Sequence, residues 1–228
     1  MESFPYRRGF TLIELLVVFA IIAVLSLVVI TSQSSFNKTL VLTNTAYDLA
    51  LALRSTETYG IGNRAIGSSQ NANAGYGLDF QKANQTSFTL FADTYPPIGS
   101  SGLCHTPPTN DPTGPNAVPG NCVYDANANP GEKVMSYAIA NGITISNFCV
   151  GVGSSWACAN GTGFFTLSSL DIVFSRPNPV PFIRARILTF PPVSADAACI
   201  TLSSPYGGSR YVAVNAAGEI TVATSSCP

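Results

Sequence analysis

From Phe10 to Ile30 the chain runs through twenty-one residues of which only Thr11, Glu14 and Ser26 are not apolar. At ~1.5 Å rise per residue, a helix of that length covers roughly 31 Å, about one bilayer hydrocarbon core. A carboxylate inside such a segment costs ~2.5–3.5 kcal/mol on insertion scales, so Glu14 calls for a partner or a purpose. Beyond Ile30 the pattern changes without a break. Thr31 to Tyr59 holds no Pro and no Gly, and Leu42, Ala46, Leu49 and Leu53 recur at the spacing of one helical face. Ala50 widens that stripe, Asn44, Asp48, Arg54, Ser55 and Thr58 fall mostly elsewhere on the circumference, and Gly60 and Gly62 supply a stop. The pattern predicts one helix of about fifty residues, with a lipid-facing half over 10–30 and an amphipathic half over 31–60. A lone helix that long needs a partner to pack on.

After Gly60 the period shortens to that of strands. Gly75–Phe80 and Ser87–Ala92 alternate polar and apolar residues around the turn-rich Lys82-Ala-Asn-Gln85, which predicts a hairpin. Further strands are expected at 133–138, 143–150, 170–175, 182–189, 199–203, 210–214 and 219–223. Asn215-Ala-Ala-Gly218 is a suitable turn between the last two, because Gly accepts φ > 0. Residues 96–131 hold eight of the sixteen prolines and form a long irregular insertion, of the kind that often makes a binding surface. Trp156 falls in a Gly/Ser loop between Cys149 and Cys158 that would be a small stapled finger. The expected fold class is α+β: a long N-terminal helix packed on an antiparallel β domain over 61–228, with two sheets as one arrangement.

Composition adjusts this picture in two ways. Only 10% of the residues are charged, which gives a neutral surface rich in hydroxyls and amides. All six cysteines (Cys104, Cys122, Cys149, Cys158, Cys199 and Cys227) follow the apolar segment, so in an exported domain disulfides are the favoured reading. Six cysteines allow fifteen connectivities; the expectation is sequential pairing, 104 with 122, 149 with 158 and 199 with 227. Their spacing resembles neither a C-x-x-C redox pair nor a zinc site, and the single histidine, His105, offers little as a ligand. No metal and no cofactor is expected.

Arg7-Arg8-Gly9-Phe10-Thr11-Leu12-Ile13-Glu14, followed by the unbroken apolar run, resembles the class III signal of type IV pilins and type II secretion pseudopilins. That resemblance implies a leader over residues 1–9, cleavage between Gly9 and Phe10 by a prepilin peptidase, and N-methylation of the new Phe10 terminus. It also implies that Glu14 meets the terminal ammonium of a neighbouring subunit during assembly. Removal of the leader leaves nine basic and eleven acidic groups. Implied partners are other pilin or pseudopilin subunits, the peptidase, and an assembly platform with its ATPase. The implied location is the inner membrane, single-pass with the soluble domain outside, and then a surface pilus or periplasmic pseudopilus. Many type IV pilins carry a kinking Pro where this chain has Thr31, a departure shared with several minor pilins and pseudopilins. A second, looser resemblance, on Tyr47–Arg54, Ile172–Phe174, Pro179, Arg210–Asn215 and Gly218–Ile220, is to the minor pilin and pseudopilin group of GspH and FimT.

The chemistry-bearing motifs of enzymes are missing: there is no G-x-S-x-G, H-E-x-x-H, P-loop or dinucleotide fingerprint. Asp171, Asp111 and Asp125 lack the alternation of an EF-hand loop. Because FimT-like pilins are associated with DNA uptake, Arg176, Arg184, Arg186 and Arg210 are candidate DNA contacts, with Arg184 and Arg186 on one face of a strand. The C-terminal tail, Thr221–Pro228, where the resemblance places DNA-binding arginines, has no basic residue. A solvated strand face, or pairing of the strand arginines with Asp171 and Glu219, is the competing expectation. The sequence therefore points to a non-enzymatic minor pilin or pseudopilin. The alternatives are a DNA-binding minor pilin and a membrane-anchored extracellular enzyme or binding domain.

Overall fold

A computed structural model of the chain describes residues 9–62, 74–98, 100, 103–104, 118–129, 131–161, 166–176, 178–187 and 190–226. The leader before Gly9, His105, Asp111, Cys227 and the section 105–117 of the long insertion lie outside the described residues. The chain divides into two compact units, Met1–Leu40 and Val41–Pro228, and helix α1 (Leu12–Ile61) contributes to both.

In the first unit α1 is apolar on every side from Leu15 to Leu25, and turns polar from Thr31 to Thr39. Leu12–Ile30 has a mean hydropathy of 3.1 with none of it buried, which by length and composition suffices to cross a membrane. Val and Ile are only moderate helix formers in water, but in hydrocarbon the helix is the one single-segment structure that satisfies every backbone polar group.

In the second unit α1 buries one stripe: Leu42, Ala46, Leu49, Ala50 and Leu53 are at most 7% exposed, whereas Tyr47 and Leu51 on the other side are about 60% exposed. Among the described residues eleven strands follow. β1 (Gly75–Gln81), β2 (Asn84–Asp93), β3 (Lys133–Ala138), β4 (Thr144–Val152), β5 (Ser155–Cys158) and β6 (Leu167–Ser175) come first. β7 (Asn178–Ile187), β8 (Phe190–Ala195), β9 (Ala197–Ser203), β10 (Ser209–Asn215) and β11 (Ile220–Ala223) complete the set. They form a six-stranded sheet, β3-β2-β1-β6-β7-β8, and a five-stranded sheet, β11-β10-β9-β4-β5, antiparallel at every pairing. One core joins the helix stripe to both sheets, through Leu78, Phe80 and Phe174 on one side and Phe148, Ile200 and Val212 on the other.

The helix meets the six-stranded sheet at Gly60, where a Cβ would collide with the Phe174 backbone carbonyl. Gly60, inside the last turn of the helix, has no side chain and so admits this close approach, and the helix ends one residue later at Ile61. Tyr59 packs edge-on against Tyr76 nearby, ring centroids 5.9 Å apart.

Two strands depart from the sequence expectation. The Trp156 segment is not a loop finger but β5, paired with β4 so that Cys149 and Cys158 stand opposite each other in register and are joined by a disulfide. β8, with Pro191 and Pro192, lies at the edge of the six-stranded sheet, the place where a strand tolerates residues without an N–H. A second disulfide links Cys104 to Cys122. Cys199 is also disulfide-bonded, while its expected pairing with Cys227 lies outside the described residues.

β1 and β6 are buried nearly throughout, because the segment from Val118 to Glu132 covers the sheet face opposite the core. Cys122 packs there against Phe91 and Val173 in a small second cluster.

Candidate functional site

At the start of α1 the sequence Thr-Leu-Ile-Glu closes a capping box. The Thr11 hydroxyl accepts from the Glu14 N–H at 3.3 Å, and the Glu14 carboxylate accepts from the Thr11 N–H at 3.1 Å and the Thr11 hydroxyl at 3.0 Å. Two N–H groups that the first helical turn cannot pair internally are thereby satisfied. Glu14 thus has a local task that follows from its spacing to Thr11. Gly9 and Phe10, just ahead of the cap, are exposed, Phe10 at 86%.

The second concentration of chemistry is acidic and buried, under the segment Val118–Glu132. Asp93, at the end of β2, accepts from the N–H groups of Asn121 and Cys122 at 3.0 and 2.8 Å. Gly120 (φ +104°) and Cys122 (φ +62°) wrap the backbone around that carboxyl, and a Cβ at Gly120 would run into it. Glu132 accepts from Thr94 and Tyr95 at 3.0 and 2.9 Å through one oxygen and from Asp125 at 2.7 Å through the other. Asp171 accepts from the Tyr124 N–H at 3.1 Å. Each carboxyl therefore fastens the covering segment to the six-stranded sheet by its main chain.

Burial pushes the Asp93 carboxyl well above its usual range, with the neighbouring Glu132 charge acting in the same direction. Burial likewise raises Glu132 to about 7, against three N–H donors that favour the ionised form. Asp79 and Asp171 are register partners across β1 and β6. Burial, followed for Asp171 by the charge of Asp79, holds this pair's proton uptake upward, with Asp79 at about 6. One buried Asp171 oxygen has no hydrogen-bond partner.

The four arginines do not converge. Arg186, on β7, donates to the Tyr124 carbonyl at 2.8 Å and to Asp125 at 3.0 Å. Arg184 lies two residues away on the same strand, and Arg176 is in the turn between β6 and β7. Arg210, on the other sheet, donates to the Thr43 hydroxyl at 3.2 Å. The partners expected from the sequence are also replaced. Asp125 pairs with Arg186 in place of Asp171, and Glu219 accepts from the Asn215 amide at 3.0 Å. Asp171 stands in register between Asp79 on β1 and Arg184 on β7, Asp125 pairs with Arg186, and Asp111 lies outside the described residues. Among the described residues one set of metal-ligand types does come together, Asp93 with Cys104 and Cys122, but both sulfurs belong to the disulfide.

Residues 5–30 match the family profile of the prokaryotic N-terminal methylation motif. The motif supports a type IV pilin-like prepilin signal, and with it an exported subunit of pilin or pseudopilin type, anchored by its apolar helix. Comparison with curated proteins and with solved structures returned no significant match. The motif covers Gly9, Phe10 and Glu14. It says nothing of the second unit, where sequence reasoning missed Asp79, Asp93 and Glu132. For Asp79 a signal was present: an acid inside the apolar run Tyr76–Phe80, opposite a second acid in Leu170–Phe174.

Proposed function

We propose that the chain is a structural subunit, a minor pilin or pseudopilin, that assembles into or primes a type IV pilus or type II secretion pseudopilus. The observation that carries this reading is the methylation motif running directly into a membrane-length apolar helix, ahead of a disulfide-bonded, two-sheet unit. In this reading a prepilin peptidase cuts after Gly9, Phe10 is N-methylated, and α1 leaves the bilayer for the filament core. Glu14 is the one charge on an otherwise uniform apolar rod, so pairing it with a neighbour's terminal ammonium fixes the docking register and offsets the cost of burying both charges. A GspH/FimT-like subgroup suits the arrangement of helix and two sheets.

The capping box sharpens the test. Glu14→Gln keeps a side chain that reaches back to the Thr11 N–H but removes the charge, whereas Glu14→Ala removes both. Loss of the subunit from sheared filaments in both variants, with normal membrane levels, supports the docking role. Incorporation of the Gln variant at the wild-type level would assign Glu14 to the cap alone.

A further inference from the structure

A cleft of about 530 Å³ opens on the second unit beside the Arg186–Asp125 pair, within the ~300–1,000 Å³ usual for small-molecule sites. Two tyrosines supply its aromatic surface. Tyr95 is 46% exposed, and Tyr124 is held by a tilted contact with Phe91 at 5.4 Å and by hydrogen bonds at both its N–H and its carbonyl. Gln81, Asn127 and Asn129 line the same space with side-chain amides. Gln81 directs its NH₂ to Asp79 at 2.9 Å, so its carbonyl side remains for a ligand. The amides of Asn127 and Asn129 and the hydroxyls of both tyrosines make no hydrogen bond with the described residues. The turn carrying the two asparagines is closed by the Ala128 N–H donating to the Asp125 carbonyl at 3.0 Å.

The charge in this cleft is spent. Arg186 and Asp125 neutralise each other at 3.0 Å, so no net field draws in a phosphate backbone or an anionic headgroup. An extended peptide is captured at a free strand edge or in an apolar groove, and β1 and β7, which supply Gln81 and Arg186, are interior strands. What remains is a neutral surface of ring faces and planar amides. Its complement is a molecule with apolar C–H faces and a rim of hydroxyls that both donate and accept. The Asn127 and Asn129 amides each offer two donors and an acceptor, and Gln81 adds the acceptor of its carbonyl, a set that meets adjacent hydroxyls, while a tyrosine ring covers a C–H face.

We propose that this cleft binds a short neutral oligosaccharide. The subunit then carries a carbohydrate-recognition surface on its soluble unit, independent of the assembly chemistry at the N-terminus. The carboxyl-fastened segment Val118–Glu132 gives that surface a prearranged wall, which lowers the ordering cost of binding.

The test uses the full mature chain in a detergent without a sugar headgroup. Short cello-, malto-, xylo- and chito-oligosaccharides are titrated by saturation-transfer NMR and calorimetry, with a short single-stranded oligonucleotide alongside. At least one saccharide series binds at millimolar concentration or tighter. Tyr95→Ala weakens it by about tenfold, the scale of one aromatic contact. The double change Asn127→Ala with Asn129→Ala, on an exposed turn, does the same with an unaltered thermal transition. Tyr206→Ala, an exposed tyrosine outside the cleft, leaves binding unchanged. The proposal is overturned by absence of saccharide binding, by binding that both cleft variants leave intact, or by preference for the oligonucleotide.

Discussion

Glu132 makes the stability of the second unit depend on pH in a direction opposite to that of an ordinary surface carboxylate. Its carboxyl is 2% exposed and faces Asp93, Asp125 and Tyr124, and burial lifts its folded-state value to about 7 from an ordinary 4.5. A carboxyl whose folded value is raised contributes its full stability below the unfolded value and loses it as pH rises through the folded one. At ~1.4 kcal/mol per unit the whole effect is on the order of 3 kcal/mol, most of it between pH ~5 and ~8. Asp93 and the Asp79–Asp171 pair, also shifted upward, steepen the slope. Glu132→Gln isolates the one group. Its amide oxygen still accepts from Thr94 and Tyr95, but its NH₂ opposes the Asp125 N–H, a mismatch of ~1–3 kcal/mol. Urea unfolding of both proteins across this range should show the variant less stable at pH ~5, and the gap closing by about 2–3 kcal/mol toward pH ~8. A wild-type stability that is flat or rises with pH, or a difference that does not move, would refute the reasoning.

Two further perturbations separate helix packing from the covalent links. Leu53→Ala, at 0% exposure in the common core, should cost about 2–5 kcal/mol in the same unfolding assay, whereas Leu51→Ala, 62% exposed, should change stability by less than ~0.5 kcal/mol. Replacing Cys149 and Cys158 together by Ser opens a bridge of sequence separation 9 and should cost roughly 2.7 kcal/mol, against roughly 3 kcal/mol for the Cys104 and Cys122 pair at separation 18. Thermal denaturation of the two double variants checks both values, and an unshifted transition in either would show that the bridge does not constrain the unfolded chain.

Helix and strands were legible because their periodicity reports burial directly. Leu42, Ala46, Leu49 and Leu53, picked out by spacing alone, are the residues that face the core. β5 and β8 were not, for two reasons. β5 is four residues long in a Gly/Ser context that carries no alternation, and the prolines of β8 argue against a strand unless its place at the sheet edge is known. The acidic network escaped for a deeper reason. Asp93, Glu132 and Asp171 acquire their roles by accepting from main-chain N–H groups 7 to 47 positions away, and neither main-chain donors nor three-dimensional neighbours are written in the order of side chains. At the N-terminus the motif itself was plain, yet the Thr11–Glu14 box is an ordinary capping signature that the more conspicuous charge-in-membrane reading obscured.

Assembly as a pilin-type subunit requires that the motif over residues 5–30 be processed, and mass spectrometry of the exported protein's amino terminus measures that directly. The prediction is a chain that begins at Phe10 and carries one methyl group on its terminal nitrogen. Exported material that still begins at Met1 would contradict it.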